Sequence, residues 1–96
     1  MIVVVAYDVN TETAAGRRRL RRIAKTCESY GQRVQYSVFE CVVGAAQWAR
    51  LRVALLREYD PDLDNLRFYF LDEETRHRTE HHGTGRPIDL EGPLIA

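Results

Sequence analysis

The residue whose type and position most directly suggest chemistry is Asp8, which ends an apolar run near the start of the chain. A carboxylate at the end of a rigid strand suits a hard cation such as Mg²⁺, which prefers carboxylate and phosphate oxygens as ligands. From this residue alone, a turn aspartate that bonds local backbone is the favoured interpretation. One carboxylate also makes a poor magnesium site, so a metal needs Glu40, Glu12 or a second copy of Asp8 from another subunit.

Basic side chains are concentrated just after this run, with six basic residues in the nine positions 17–25 and Arg33 beyond them. Thirteen of the 14 basic residues are arginine, whose planar guanidinium matches phosphate oxygens. The candidate phosphate-binding stripe consists of Arg17, Arg18, Arg19, Arg21, Arg22 and Lys25. Such a run is often only the solvated face of a helix, but no Glu is interleaved for i,i+4 pairing, so both interpretations stay open.

The aromatic residues, histidines and cysteines are weaker candidates. Tyr7, Tyr36 and Phe39 could stack on bases or pack at a subunit interface, although strand aromatics are core residues far more often. The three histidines fall in a polar, loop-like segment without a cysteine partner, and no role is assigned to them. Cys27 and Cys41 are interpreted as small core residues. Two cysteines and no signal-peptide pattern at Met1 predict a cytoplasmic location.

Length and composition predict one small domain, because 96 residues with 45% hydrophobic content supply a single modest core. No apolar run approaches the roughly 18 residues needed to span a bilayer. The formal net charge is zero, but residues 1–57 carry ten basic and four acidic side chains, whereas residues 58–96 carry four and ten. This polarity is compatible with a polyanion bound on one face.

The elements that must position these side chains follow from hydrophobic spacing. In order, we predict a strand at 2–8, a helix at 14–30, two short strands within 33–43 joined by a kink near Ser37, a helix at 45–59 and a strand at 65–71. The first strand should lie at the middle of the sheet, buried on both faces. Thr13 is the predicted N-cap of the first helix and Gly31 its C-cap.

The predicted order β-α-β-β-α-β is the α+β, ferredoxin-like arrangement, with helices on one face of an antiparallel sheet. Residues 1–72 form the predicted core. Residues 73–96 form a predicted polar loop and an extra C-terminal strand that contributes to a dimer.

Three motifs together resemble one known family along most of the chain. They are the opening Val3-Val4-Val5-Ala6-Tyr7-Asp8-Val9, the Arg-rich helix ending in Tyr30-Gly31, and the stretch Arg33-Val34-Gln35-Tyr36-Ser37-Val38-Phe39-Glu40. The chain thereby resembles the CRISPR-associated protein 2 family, the small subunit of the spacer-acquisition machinery. The segment 88–95 is similar to the tail of type I-C members.

The resemblance implies a ferredoxin-like homodimer in which the C-terminal strand of one protomer joins the sheet of the other. It implies that Asp8 of each protomer faces its mate and that the pair holds one Mg²⁺. The implied activity is metal-dependent endonuclease cleavage of single-stranded RNA or double-stranded DNA, with Asp8 as the catalytic residue. The residues expected to contact nucleic acid are Tyr7, Arg17, Arg18, Arg33, Ser37 and Phe39.

The resemblance also implies an alternative in which nothing is cut. The dimer then acts as an architectural adaptor that lies along a protospacer duplex and bridges two dimers of the CRISPR-associated protein 1 integrase. The arginines contact the DNA backbone in that role, and Asp8 is dispensable. A third, weaker alternative is a ferredoxin-like toxin or regulatory module whose basic helix binds a protein.

Overall fold

A computed structural model describes residues 1–72, 74 and 78–83 of the chain. The elements in chain order are β1 (Ile2–Asp8), α1 (Ala14–Glu28), β2 (Gly31–Gln35), β3 (Val38–Val42), α2 (Ala45–Glu58) and β4 (Asn65–Leu71). This order confirms the predicted α+β, βαββαβ arrangement. The predicted C-terminal strand lies outside the described residues and stays a prediction.

The four strands form one antiparallel sheet in the order β2-β3-β1-β4, with β1 hydrogen-bonded to β3 on one side and β4 on the other. Directly opposed residues of antiparallel strands share a face of the sheet. Val3, Val5 and Tyr7 of β1 are buried beneath the helices. Val4 and Ala6 face the other way and are only half-buried. The central position of β1 is therefore confirmed, whereas burial on both faces is wrong for the single chain.

The face of the sheet opposite the helices is called the open face below. Its residues on β1, β3 and β4, placed by the register of the strands, are Ile2, Val4, Ala6, Asp8, Val38, Glu40, Val42, Asn65, Arg67, Tyr69 and Leu71. Most of these side chains are apolar, yet Val42 and Tyr69 are 39% and 45% exposed. The open face is thus a largely apolar surface that the described residues leave uncovered.

The core lies between the sheet and the two helices. Its largest fully buried side chains are Phe39, Ile23, Leu51, Leu55, Val3, Val5, Cys27 and Cys41. Trp48 of α2 packs edge-on against Phe68, with ring centroids 4.8 Å apart, and against Phe70 at 5.3 Å. Both cysteines are free thiols at full burial, which confirms their interpretation as core residues.

The two ends of α1 differ in how well the sequence predicted them. Thr13 is the N-cap, and its hydroxyl accepts a hydrogen bond from the Gly16 N–H at 3.1 Å. The prediction that Gly31 caps the other end is wrong, because Ser29 ends α1 in a right-handed conformation. Gly31 instead begins β2, where a Cβ would overlap the Glu40 carbonyl oxygen and lie 2.8 Å from the Cys41 sulfur. Glycine is needed there for close strand approach.

The predicted kink near Ser37 is a two-residue turn, Tyr36-Ser37, between β2 and β3. The backbone N–H of Tyr7 donates to the Ser37 carbonyl at 3.1 Å, which ties this turn to β1. A register shift between Arg33 and Gln35 leaves Val34 as an extra residue opposite β3. Bulges of this kind bend a strand and re-aim its side chains. Across the described part of the chain, neither helix has the length and hydropathy that a bilayer crossing requires.

Candidate functional site

Asp8 lies at the carboxyl end of the central strand, on the open face. Its side chain is exposed and makes no hydrogen bond or ion pair with the residues that the structure describes. Asn65, the first residue of β4, lies directly opposite Asp8, so a carboxamide shares the face with the carboxylate. The structure therefore leaves the oxygen atoms of Asp8 available to a cation or to solvent.

The two other carboxylates considered from the sequence are poorly placed to complete a metal site. Glu40 pairs with Val4, four residues along β1 from Asp8, which corresponds to about 13 Å. Burial raises the pKa of Glu40 above its ordinary value, which further disfavours it as an anionic ligand. Glu12 is exposed in the loop before α1.

Within the described residues, no group of three or more His, Cys, Asp or Glu side chains could hold a metal ion. Mg²⁺ is commonly bound by one or two carboxylates together with water and substrate phosphate oxygens. Asp8, an exposed carboxylate without a partner among these residues, fits one half of such a site.

The loop that follows Asp8 is anchored by Asp64, a residue that the sequence patterns did not single out. Asp64 is 6% exposed, and its carboxylate accepts hydrogen bonds from Arg19 Nε at 2.8 Å, Asp60 N at 2.9 Å and Asn10 N at 3.0 Å. Burial opposes ionisation of Asp64, but these hydrogen bonds outweigh it and lower the pKa of the carboxyl. One buried carboxylate thus joins the β1–α1 loop, helix α1 and the α2–β4 loop.

Gly16 sets how closely the same loop approaches α1. A Cβ at position 16 would overlap the carbonyl oxygen of Asn10. The glycine therefore allows the backbone just after Asp8 to pack against the first turn of the helix. Gly16 and Asp64 hold the β1–α1 loop from two directions, and so fix the position at which β1 ends.

The basic stripe predicted on α1 is smaller than the sequence suggested. Arg19 is directed toward Asp64 and is not part of the solvated face. Arg22 lies 3.9 Å from Glu58, with 62% of its side chain exposed. The residues that remain exposed on the helix are Arg17, Arg18, Arg21, Arg22 and Lys25, and this set is called the basic face below. Arg19 is therefore removed from the predicted stripe, because it forms an ion pair with Asp64 that stabilises the fold.

Arg17 and Arg18 lie at the end of α1 nearest to Asp8. The Arg17 guanidinium donates to the Thr11 carbonyl at 3.1 Å, which holds it beside the β1–α1 loop. Arg18 is exposed and has no acidic partner in the described part of the chain. Asp8 and these two arginines thus lie at the same end of the sheet, where β1 ends and α1 begins, with Asp8 on the open face and α1 on the opposite face.

Arg33 of β2 joins the aromatic residues predicted near the site. Its guanidinium carbon lies 5.1 Å from the centroid of the Phe39 ring and 5.9 Å from that of Tyr36. Glu28 approaches it at 3.8 Å, with both side chains substantially exposed. Ion pairs at this separation and exposure contribute little to stability, so Arg33 remains available to another anion.

Tyr7 and Phe39 lie in the core, with 6% and 0% of each residue exposed. Their rings stack at a centroid distance of 6.3 Å. Their predicted contact with nucleic acid stays a prediction; in the single chain Phe39 packs between Tyr7 and the Arg33 guanidinium. The Tyr7 hydroxyl is buried without a partner at hydrogen-bonding geometry in the described residues. Burial raises the pKa of Tyr7, and the nearby Arg33 opposes part of that effect.

Ser37 contributes to this region through its backbone carbonyl, which accepts from Tyr7 N. Of the three histidines left without a role, His82 pairs with Glu80 at 2.7 Å and His81 is exposed, while His77 lies outside the described residues. Sequence patterns missed Asp64, Gly16 and Asn65. The available signal was the cluster Asp60-Pro61-Asp62-Leu63-Asp64, which indicated only the end of a helix.

Fold and site together define a small ferredoxin-like protein with an exposed carboxylate at the end of its central strand and exposed arginines on its first helix and on β2. The family model described as CRISPR associated protein Cas2 matches residues 1–79. A CRISPR-associated endoribonuclease Cas2 of Chlorobaculum tepidum is 67% identical over 95 residues, which cover 99% of each chain. A CRISPR-associated endonuclease Cas2 of Halalkalibacterium halodurans is 46% identical over 95 residues, again 99% of each.

Solved structures agree with these sequence relatives. The crystal structure of Streptococcus pyogenes Cas2 matches with a TM-score of 0.78 and 51% identity, covering 86% of this chain and 100% of that one. The chain therefore belongs to the Cas2 family of CRISPR-associated proteins. The two relatives that match nearly all of the chain are named as nucleases, so it is a CRISPR-associated nuclease.

Proposed function

We propose that the chain is a Mg²⁺-dependent endonuclease of CRISPR spacer acquisition that cleaves phosphodiester bonds in single-stranded RNA or double-stranded DNA. The observation that carries the proposal is Asp8, exposed on the open face at the end of β1 without a partner among the described residues. Names of the relatives, endoribonuclease for one and endonuclease for another, support the reaction class.

The metal would be held by Asp8 from each of two protomers, because the described residues of one chain supply only half of a site. The largely apolar open face, with Tyr69 45% exposed, supports a homodimer in which two such faces meet. When bound, Mg²⁺ supplies polarisation of a phosphate and activation of a water. Burial in this interface would also remove the surface that the single chain leaves exposed.

Exposed arginines of α1 and β2 would bind and orient the nucleic acid. Arg17, Arg18 and Arg33 each present an exposed guanidinium, and Arg17 is held in place by the Thr11 carbonyl. Contacts of this kind grip phosphates and do not read base sequence. They are therefore equally suited to the backbone of RNA and of DNA.

The experiment that tests this function compares wild type with Asp8→Asn for cleavage across a Mg²⁺ titration and for binding in EDTA. We expect cleavage to fall about 100-fold or more, because even the loss of a second-shell partner of a metal ligand costs 10- to 100-fold. Binding in EDTA should persist, since the arginines are unchanged. The matched control is Glu74→Gln, which removes an exposed carboxylate beyond the opposite end of β4.

If Asp8→Asn cleaves as well as wild type, Asp8 is not catalytic and the nuclease site lies elsewhere. If neither protein cleaves and both bind, the adaptor function described next replaces the nuclease. Light scattering on the same samples reports whether the variant keeps the oligomeric state of wild type.

The second candidate function is a non-catalytic adaptor that binds a protospacer duplex and bridges dimers of the CRISPR-associated protein 1 integrase in the cytoplasm. The basic face of α1 favours it, because four of its five cations have no acidic side chain within 4 Å among the described residues. In this role Asp8→Asn would leave spacer acquisition in cells unchanged. Loss of acquisition in the variant would favour the catalytic role.

A further inference from the structure

Tyr36 stands apart from the other aromatic residues of the sheet. Tyr36 is 78% exposed, whereas Tyr7 and Phe39 are buried, at 6% and 0%. Single exposed aromatics are common and need no explanation by themselves. The surroundings of Tyr36 are what distinguish it.

The turn that carries Tyr36 is short and held in position. Only two residues separate β2 from β3, and the Ser37 carbonyl accepts a hydrogen bond from Tyr7 N at 3.1 Å. Tyr7 directly precedes Asp8, so this hydrogen bond places the turn at the same end of the sheet as Asp8, the candidate metal ligand. The turn that carries Tyr36 is therefore hydrogen-bonded to the residue that precedes the candidate metal ligand.

A cation accompanies the exposed ring. The Arg33 guanidinium carbon is 5.9 Å from the Tyr36 centroid and 5.1 Å from that of Phe39. The Arg33 side chain is 44% exposed and has Glu28 only at 3.8 Å. A phosphate could therefore reach the guanidinium without breaking a close ion pair.

A second observation marks the same place. The Tyr7 hydroxyl, in a residue more than nine-tenths buried, has no hydrogen-bond partner among the described residues and lies near Arg33. An orphaned hydroxyl in a native core calls for a partner. Arg33 is close enough to act on the Tyr7 hydroxyl, and its guanidinium has further donors for a phosphate.

We propose that Tyr36 and Arg33 form a binding site for one unpaired nucleotide, in which the base stacks on the Tyr36 ring and Arg33 contacts the adjoining phosphate. A single exposed ring stacks on a base whose face is free, as in a single strand, whereas bases inside a duplex have both faces covered by neighbouring pairs. The site therefore favours single-stranded nucleic acid, or an unpaired end, over the interior of a duplex. This inference rests on the proposed nucleic-acid function and specifies its substrate.

The test measures binding of fluorescently labelled single strands and blunt duplexes of equal length in EDTA, for wild type, Tyr36→Leu and Tyr36→Phe. Tyr36→Leu should weaken single-strand binding about 5- to 150-fold, the range that corresponds to 1–3 kcal/mol for one stacked base. Tyr36→Phe should stay within about twofold of wild type, because the ring is kept. Duplex binding should be unchanged in both, and Gln35→Ala serves as a control at an exposed neighbour.

Three outcomes would overturn the proposal, and they are distinguishable. If wild type binds single strands and Tyr36→Leu binds them equally, the stacking site is wrong while the proposed function stands. If wild type binds no nucleic acid, the proposed function fails and the site with it. If Tyr36→Leu loses affinity for single strands and duplexes alike and also changes its sedimentation, Tyr36 belongs to a subunit interface.

Discussion

Asp64 matters more to this molecule than its place in an acidic loop suggests. It is the buried acceptor for Arg19 and for two backbone N–H groups, and without it those donors lose their partner. We expect Asp64→Ala to lower the free energy of unfolding by about 2 kcal/mol, because a buried donor left unpaired costs about 1–3 kcal/mol. Urea denaturation measures this, with Asp62→Ala at an exposed position of the same loop as control. Equal midpoints for the two variants would contradict it.

The same residue gives the molecule a pH dependence whose sign is fixed. The folded state lowers the pKa of Asp64 below its ordinary value of 3.8, so the stabilisation is complete above that pH. It is lost as the pH falls through the lower, folded value. Acid unfolding of wild type below about pH 4 should therefore be steeper than that of Asp64→Asn, which has no proton to take up at this position.

At the scale of single residues, the sequence indicated which side chains could bind a ligand better than it indicated which are buried and what they contact. Asp8 and Arg33 could be singled out because a strand-ending carboxylate and an arginine next to aromatics are visible in one dimension. Burial of Tyr7 and Phe39 was expected only because strand aromatics are usually core residues, since alternation places a residue on a face without saying which face the helices cover. Arg19 and Asp64 are 45 residues apart, and no local pattern connects them.

At the scale of elements, Gly16 decides how the first helix meets the first strand. We expect Gly16→Ala to destabilise the fold by about 1–2 kcal/mol net, because the added carbon overlaps the Asn10 carbonyl oxygen and overpacking typically costs about 1–3 kcal/mol. This outweighs the gain of about 1 kcal/mol that alanine brings to a helix interior. Thermal unfolding measures the net effect.

The control for that substitution is Gly44→Ala, where the added carbon would meet only the Gln47 side chain at 3.8 Å. Its loss should stay below about 1 kcal/mol, since glycine is only moderately better than alanine at an N-cap. If Gly16→Ala is as stable as Gly44→Ala, the loop after Asp8 moves freely and its close packing against α1 is unimportant.

The six elements themselves followed from periodicity, because each is either a short apolar run or an amphipathic repeat between clear breaks. Their boundaries shifted where tertiary contact decided the outcome. Gly31 looked like a helix end since glycine is frequent there, yet the close approach of β2 to the Glu40 carbonyl explains it. Pairing across strands is not encoded in the residues next to a glycine, so sequence could not have revealed this.

At the scale of the whole molecule, the excess of basic residues in the first part of the chain includes the five exposed cations of the basic face on α1. We expect Arg17→Ala with Arg18→Ala to weaken nucleic-acid binding for all sequences alike. The slope of log K against log salt should fall by up to about 1.8 for duplex DNA, since each lost phosphate contact contributes about 0.9. Binding titrations at several salt concentrations measure both quantities.

The matched control is Arg50→Ala with Arg52→Ala, which removes two exposed arginines from α2 and the same total charge. That variant should retain most of the wild-type affinity and slope. If both double variants behave alike, net charge governs binding and the basic face has no special role.

The two buried thiols have a consequence for how the motions of the molecule can be observed. Burial raises the pKa of Cys27 to about 12 and that of Cys41 to about 11, so neither forms an appreciable amount of thiolate in the folded state at neutral pH. An alkylating reagent reacts with them only when the core opens. Because Cys27 lies on α1 and Cys41 on β3, the mass gained at each one over time reports separately how often the helix and the strand leave the packed state.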